Sequence, residues 1–181
     1  MARFNVDQLR RAALVPMQKA VRKDARTILR EHAAADQRSN HDIFLSHNHL
    51  DKEAVLGLMT ILEGAGYAVY VDSVSDPQLD AKKVDLTTVE VVRRRLRGSR
   101  SLLYATSENA EESKWMAWEL GLGDGLGKRV AVLPVSGTPG TLVTREFLLV
   151  YPEVQAGSTG APQVRRPDGS FVALHDWLRG G

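Results

Sequence analysis

His41-Asp-Ile-Phe-Leu-Ser-His47 and the residues that follow it decide the fold of this 181-residue chain. Its centre, Ile43 to Leu45, is a short apolar run typical of a buried strand. Residues 52–64 then carry apolar side chains at helical spacing, and Gly64 and Gly66 end the predicted helix. A buried strand followed directly by a helix is the repeating unit of a parallel α/β sheet.

The same alternation continues along the chain. Further strands are predicted at 67–71, 102–104 and 130–135, and further helices at 84–96 and 113–124. Right-handed crossovers place helices on both faces of such a sheet, and ligands bind beyond the carboxyl ends of its strands. The sequence therefore predicts an α/β fold with a central parallel sheet and a crevice at one edge.

Both ends of the chain are less regular. Residues 147–151 are predicted as a fifth strand, Arg166-Pro-Asp-Gly169 as a turn and residues 172–178 as a closing helix. Residues 1–40 hold nine Lys or Arg against four Asp or Glu, and we expect them to form an N-terminal helical extension that precedes a main domain at 41–181. One amphipathic helix beginning at Pro16 is predicted from Met17, Val21, Ala25, Ile28 and Leu29. Its apolar face packs on its own domain or on a second copy of the chain, and a nucleic-acid-binding arm is the least favoured alternative.

Composition excludes several classes of function. The absence of cysteine rules out disulfides, thiolate zinc sites and a cysteine nucleophile. A formal charge of +2 gives no strong attraction to nucleic acid or acidic lipid. No stretch approaches the ~20 apolar residues of a membrane span, and the N-terminus lacks a signal peptide, so we expect a cytoplasmic protein.

Trp115 and Glu119 are the strongest candidate site residues. At four residues apart they share one face of the predicted third helix. An aromatic plane beside a carboxylate suits a flat cationic ring next to a developing positive centre. We therefore predict a nucleotide glycohydrolase site, with Glu119 catalytic, Trp115 on the substrate and Trp118 in the core.

Polar side chains come at the ends of the first two predicted strands. Ser46 is a candidate for a phosphate or ribose contact, and His47 beside it is a further candidate for a contact with the substrate. Asp72 binds a ribose hydroxyl or shapes the pocket floor, or else it has a capping or turn role. His47 and His49 lack a third ligand at suitable spacing, so no metal is predicted.

Four short motifs, in this order on these elements, resemble the signatures of a TIR (Toll/interleukin-1 receptor) domain. They are residues 41–47 with Asp51-Lys52, residues 66–72, residues 105–109, and Ser113-Lys-Trp115 with Glu119. The resemblance implies a flavodoxin-like three-layer fold with about five parallel strands, and it marks Glu119 as the catalytic acid and Trp115 as its companion. It also implies that the loop at 72–83 serves self-assembly and substrate access.

The resemblance is to the stand-alone prokaryotic branch, whose members cleave NAD and act in anti-phage defence of the Thoeris kind. It implies NAD⁺ as substrate with no cofactor, a homo-oligomer formed through TIR–TIR contacts, and a downstream effector that responds to the nucleotide product. Whether that product is linear, cyclic or conjugated stays open. Two alternatives also remain: a non-catalytic TIR interaction module, and an enzyme similar to nucleoside deoxyribosyltransferases.

Overall fold

The computed structural model of the chain is an α/β fold and describes residues 3–20, 23–47, 52–71, 86–107, 113–136 and 146–180. Its helices are α1 (Val6–Lys19), α2 (Ala25–Ala35), α3 (Lys52–Gly64), α4 (Leu86–Arg97), α5 (Lys114–Gly125) and α6 (Leu174–Arg179). Its strands are β1 (Phe4–Asn5), β2 (His41–His47), β3 (Val69–Val71), β4 (Ser99–Ser107), β5 (Arg129–Ser136), β6 (Glu153–Ala156), β7 (Pro162–Arg165) and β8 (Phe171–Ala173). The predicted α/β class is confirmed.

The described strands form one sheet in the order β3-β2-β4-β5-β6-β7-β8, and β1 pairs with β5 on the edge that β6 also uses. All pairings from β3 to β6 are parallel, as is that of β1. The last two pairings are antiparallel. Short turns with Gly160 and Gly169 at positive φ connect these last strands, so no crossover helix is needed. The predicted parallel sheet is therefore extended by two antiparallel strands, and the turn at Arg166–Gly169 is confirmed.

Side chains alternate between the two faces of the sheet. One face, with Ile43 and Leu45, packs against α1, α2, α3 and α6. The opposite face, with Phe44 and Tyr104, packs against α4 and α5. Successive residues of β2 therefore contact the two helical layers in alternation, and Ser46 lies on the face that is covered by α5.

The N-terminal segment forms two helices, so the prediction of one helix beginning at Pro16 is wrong. α1 begins after Asn5, whose side chain accepts a 2.9 Å hydrogen bond from the backbone of Asp7, and it continues through Pro16. α2 begins after Asp24, which accepts a 2.7 Å bond from the Thr27 backbone. Each side-chain cap marks the start of a separate helix. The apolar spacing used for the prediction is the same for one long helix as for these two shorter ones.

The apolar face of α1 packs against α3 of its own chain. Leu9 and Ala13 are fully buried. At Gly57 the α3 backbone approaches so closely that an added Cβ would stand 1.9 Å from the Leu9 carbonyl oxygen. The segment before residue 41 is thus packed on the main domain and contributes β1 to its sheet, and the boundary at residue 40 stays a prediction.

A buried hydrogen bond fastens the end of α2 to the start of β2. His41 Nε2 lies 2.5 Å from Asp36 Oδ2, and both side chains are almost fully buried. Arg95 donates to the carbonyl oxygens of Asp36 and Arg38, and its guanidinium lies 5.0 Å from the centre of the Tyr70 ring. One arginine of the basic run at 93–97 therefore has a structural role.

The prediction of a fifth strand at 147–151 is wrong. Residues Glu146–Val150 form a 3₁₀ helix, and the next strand begins at Glu153. A short apolar run does not separate strand from helix by periodicity, whereas β6 shows alternating burial. The predicted closing helix is present from Leu174, although Phe171–Ala173 form a strand. No helix within the described ranges combines the length and the apolar character that crossing a membrane requires.

Candidate active site

Helix α5 carries the predicted catalytic residue and begins where the sequence predicts. Ser113 Oγ accepts a hydrogen bond from the Met116 backbone at 3.2 Å, which makes Ser113 the N-cap. Met116 and Leu120 bury one side of the helix on the sheet. Glu119 precedes Leu120 and is completely buried, so the helix inserts a carboxylate between itself and the sheet.

Ser46, near the carboxyl end of β2, meets this carboxylate. Its hydroxyl donates a hydrogen bond of 2.5 Å to Glu119 Oε2, and Ser46 is also fully buried. Hydroxyl-to-carboxylate bonds of this length are charge-assisted and stronger than neutral ones. The structure therefore brings together two of the predicted site residues, and Ser46 contacts Glu119 where the sequence predicted a contact with phosphate or ribose.

A buried acidic side chain is costly. Taking an ionised carboxylate out of water costs several kcal/mol even after relaxation, and polar partners must offset that cost. Among the described residues only two acidic side chains are buried, those of Asp36 and Glu119. Asp36 has a structural partner in His41, whereas Glu119 stands beside the sheet edge at which α/β proteins bind ligands.

Trp115 lies one helical turn before Glu119 and is half-buried. Its ring centre is 4.8 Å from that of Trp118, at 33° between the planes, and both rings pack against the apolar cluster under α4 and α5. Trp118 therefore packs as predicted. Trp115 shares this packing and keeps a partly exposed ring, and its contact with substrate stays a prediction.

His47 follows Ser46 but does not join it at Glu119. The alternation of side chains along β2 places His47 on the face covered by α1 and α3. The residue is 3% exposed and is in register with Ala105 of β4. In the described ranges no three His, Asp or Glu side chains cluster as metal ligands. A substrate contact from His47 stays a prediction.

Several predicted features lie outside the described residues. They are Asp72, His49 and the loop at 72–83. Of the motif at 105–109, the described part ends at Ser107 in β4.

The hydrogen bond between Ser46 and Glu119 was not predicted. The two residues are 73 positions apart, and neither helical nor strand periodicity relates positions so distant. The available signal was the polar residue at the end of an apolar strand, which located the crevice without identifying the contact.

Three features define the class of protein. They are a parallel α/β sheet, a buried glutamate on the helix after the fourth strand, and a serine on the second strand that hydrogen-bonds this glutamate. The TIR domain family matches residues 43–150, more than half of the chain, and the chain belongs to this family. The resemblance seen in the sequence is confirmed.

Two relatives extend the comparison. The chain is 43% identical over 151 residues to the probable 3' cyclic ADP-D-ribose synthase ThsB' of Bacillus cereus (strain MSX-D12), a match that covers 80% of this chain and 78% of the relative. It is 26% identical over 97 residues to a Cytobacillus dafuensis protein with the provisional name cyclic ADP-D-ribose synthase TIR2. That second match covers 53% of this chain and 26% of the relative.

Proposed function

We propose that this protein cleaves the bond between nicotinamide and ribose in NAD⁺ and closes the remaining ADP-ribose into a cyclic nucleotide. The observation that carries the proposal is the buried Glu119 carboxylate held at 2.5 Å by Ser46, in a chain 43% identical to a protein named as a 3' cyclic ADP-D-ribose synthase.

The chemistry needs one carboxylate. Nicotinamide is cationic while bound to ribose and leaves as a neutral molecule with the bonding electrons, so no acid is needed to protonate the leaving group, in contrast to ordinary glycosides. Positive charge then develops on the ribose carbon. A carboxylate about 4 Å away, at an effective dielectric near 20, contributes on the order of 4 kcal/mol, which is roughly a thousandfold in rate.

Ser46 supports the proposed role of Glu119 by holding its carboxylate in place. Its hydroxyl donates a hydrogen bond to Oε2 of Glu119 and thereby fixes the orientation of the carboxylate plane. A fixed charge stabilises a transition state without reorganisation at the moment of reaction. Ser46 is therefore a positioning residue, and Trp115 is proposed to contact the flat rings of the substrate.

Ring closure requires a nucleophile from the ADP part of the substrate. A ribose hydroxyl oxygen forms the new bond to the cationic carbon and gives up its proton, for which Glu119 is the proposed acceptor. Exclusion of water favours this capture over hydrolysis. The name of the Bacillus relative assigns a 3' product, and we propose the same class of product here, made as a signal for an effector in anti-phage defence by a homo-oligomer in the cytoplasm.

The test is incubation of purified protein with NAD⁺ at high protein concentration, with mass spectrometry of the products. Release of nicotinamide with a product one water lighter than ADP-ribose is expected. Glu119→Gln, which keeps the shape of the side chain, is expected to lose at least a hundredfold in turnover. Glu53→Gln, the same change on the exposed side of α3, is the matched control and should keep full turnover.

Two results would contradict the proposal. Near-normal turnover by Glu119→Gln would remove this residue from the chemistry. Absence of nicotinamide release under every condition, with self-association intact, would favour the non-catalytic interaction module, which shares the same fold.

A further inference from the structure

A cavity of about 230 Å³ lies at the border of β5, β6 and β7. Val132, Leu148 and Tyr151 supply apolar and aromatic walls, and charged side chains of Arg3, Glu153, Arg165 and Arg166 line the rest. An apolar enclosure with a few convergent polar groups is the usual form of a small-molecule site.

The net charge of the side chains that line this cavity favours an anionic ligand. Three arginines line it against one glutamate, which leaves an excess of two positive charges. Glu153 Oε1 already accepts from Arg3 Nε at 3.3 Å and from Gln155 Nε2 at 2.7 Å. Within the part of the chain that the structure describes, the guanidinium groups of Arg165 and Arg166 make no side-chain hydrogen bond or salt bridge. The Arg165 guanidinium therefore has donors available to a ligand, and the Arg166 guanidinium, which also interacts electrostatically with the exposed Asp168, adds positive charge beside it.

This cavity is separate from the Glu119 site. Burial and the nearby Asp124 carboxylate of α5 raise the pKa of Tyr151, which places this wall of the cavity beside Asp124, whereas Glu119 reaches Ser46 on β2. Glu119 and Asp124 are five residues apart, which is one full helical turn plus roughly 140° around the helix axis. The two side chains therefore project from opposite flanks of α5. Gly123 of α5 lies against Leu102 and Val130, which places the helix over β4 and β5, between the two sites.

We propose that this cavity is a binding site for a nucleoside monophosphate. A guanidinium group binds phosphate oxygens through charge-assisted hydrogen bonds, and both Arg165 and Arg166 line the cavity. The base and sugar fill the apolar part beside Tyr151 and Leu148. The volume falls below the roughly 300–1,000 Å³ of sites for drug-sized ligands, so a whole dinucleotide such as NAD⁺ is too large for it, and a single nucleotide is the largest nucleotide unit that we propose for it.

The experiment is isothermal titration of the full chain with AMP at low ionic strength, with inorganic phosphate and adenosine as separate probes. AMP is expected to bind more tightly than either probe, because it alone uses both halves of the cavity. The double variant Arg165→Ala, Arg166→Ala is expected to weaken AMP binding by about a hundredfold, at roughly tenfold for each arginine. Arg165→Lys, which keeps the charge without the planar fork, should weaken it less.

The matched control removes the same two charges elsewhere. Arg11→Ala with Arg30→Ala lies on exposed positions of α1 and α2, on the other side of the sheet, and should leave AMP binding unchanged. Circular dichroism of both double variants checks that the fold is kept. Glu119→Gln should also bind AMP normally, whatever its effect on NAD⁺ turnover.

Four outcomes would overturn the proposal. The first is that AMP fails to bind at millimolar concentration, and the second is that it binds no better than inorganic phosphate, which would indicate an anion site only. The third is that the Arg165 and Arg166 double variant binds AMP as the wild type does. The fourth is that Glu119→Gln abolishes AMP binding, which would place AMP in the active site. Because each readout is binding and not turnover, the result does not depend on NAD⁺ cleavage.

Discussion

The Ser46 hydroxyl hydrogen-bonds the Glu119 carboxylate at 2.5 Å, although 73 residues separate them in the chain. Both residues are completely buried. The bond joins the carboxyl end of β2 to the middle of α5, so one contact serves both the packing of the helix and the position of the proposed catalytic group.

Replacing Ser46 by alanine should therefore lower both kcat and stability. Loss of a hydrogen bond to a charged group costs about 1.5–3 kcal/mol in the free energy of unfolding, and the less constrained carboxylate should cost about tenfold in kcat. Nicotinamide release and urea unfolding measure the two effects.

Ser101→Ala is the control for Ser46→Ala. Ser101 is also fully buried and donates a 2.8 Å bond to the Asp42 carbonyl oxygen, near the amino end of β4. It should lose about 1 kcal/mol of stability with kcat unchanged. Equal loss of kcat in both variants would mean that Ser46 acts only through general stability.

Gly57→Ala should separate α1 from α3. The added Cβ would stand 1.9 Å from the Leu9 carbonyl oxygen, and backbone on both sides must move, so we expect a loss of about 3 kcal/mol or more in the free energy of unfolding. At Gly121, on the exposed side of α5, an added Cβ meets nothing within 4 Å. Gly121→Ala should therefore stabilise the protein by about 0.5–1 kcal/mol. Similar urea midpoints for the two variants would contradict the close packing of α1.

Stability should fall as the pH rises past neutrality because of His32. A 3.0 Å hydrogen bond with Glu63 raises the pKa of His32 above 6.5, against the opposing effect of burial. A raised folded-state pKa gives stability that is fully present below the unfolded pKa and lost as pH rises through the folded pKa. Between pH 6 and 8 we expect a loss of about 1 kcal/mol or less.

His32→Gln should flatten this pH dependence, and His175→Gln, at an exposed position of α6, should leave it as in the wild type. Urea unfolding at several pH values measures it. A slope that persists in His32→Gln would assign the effect to another group.

Asp36→Asn should destabilise the protein strongly. Burial raises the pKa of Asp36, but hydrogen bonds from the Arg38 backbone and the His41 ring outweigh burial and lower the pKa below 3.8. The lowered pKa gives stability that is present above pH 3.8 and lost as pH falls. Removing one partner of a buried pair costs about 3 kcal/mol or more.

Asp7→Asn is the comparison for Asp36. Asp7 pairs with Arg10 at 3.8 Å on the exposed side of α1, and such pairs contribute roughly 0–1 kcal/mol. Thermal unfolding at neutral pH should separate the two variants by several degrees. Equal melting temperatures would show that the Asp36 and His41 pair contributes little.

Local pattern predicted the alternating strands and helices from β2 to β5. Helix α3 has the predicted bounds, and Val55, Leu58 and Leu62, which recur at the helical spacing that predicted it, are fully buried, because helical spacing puts apolar residues on one side wherever that side meets a core. The errors fall where pattern is ambiguous. Residues 147–151 are apolar without periodicity, and the two N-terminal helices share one apolar spacing across a break.

The sequence by itself determined the order of strands and helices from β2 to β5, their parallel sheet and the placement of Glu119 one turn after Trp115, because these depend on residues that are neighbours in the chain. Only the tertiary structure decided that Ser46 meets Glu119 while His47 turns to the other face, and that Arg3 reaches Glu153 across 150 residues. Contacts of this kind follow from strand register and from the way helices cross the sheet, and many distant residues set both together.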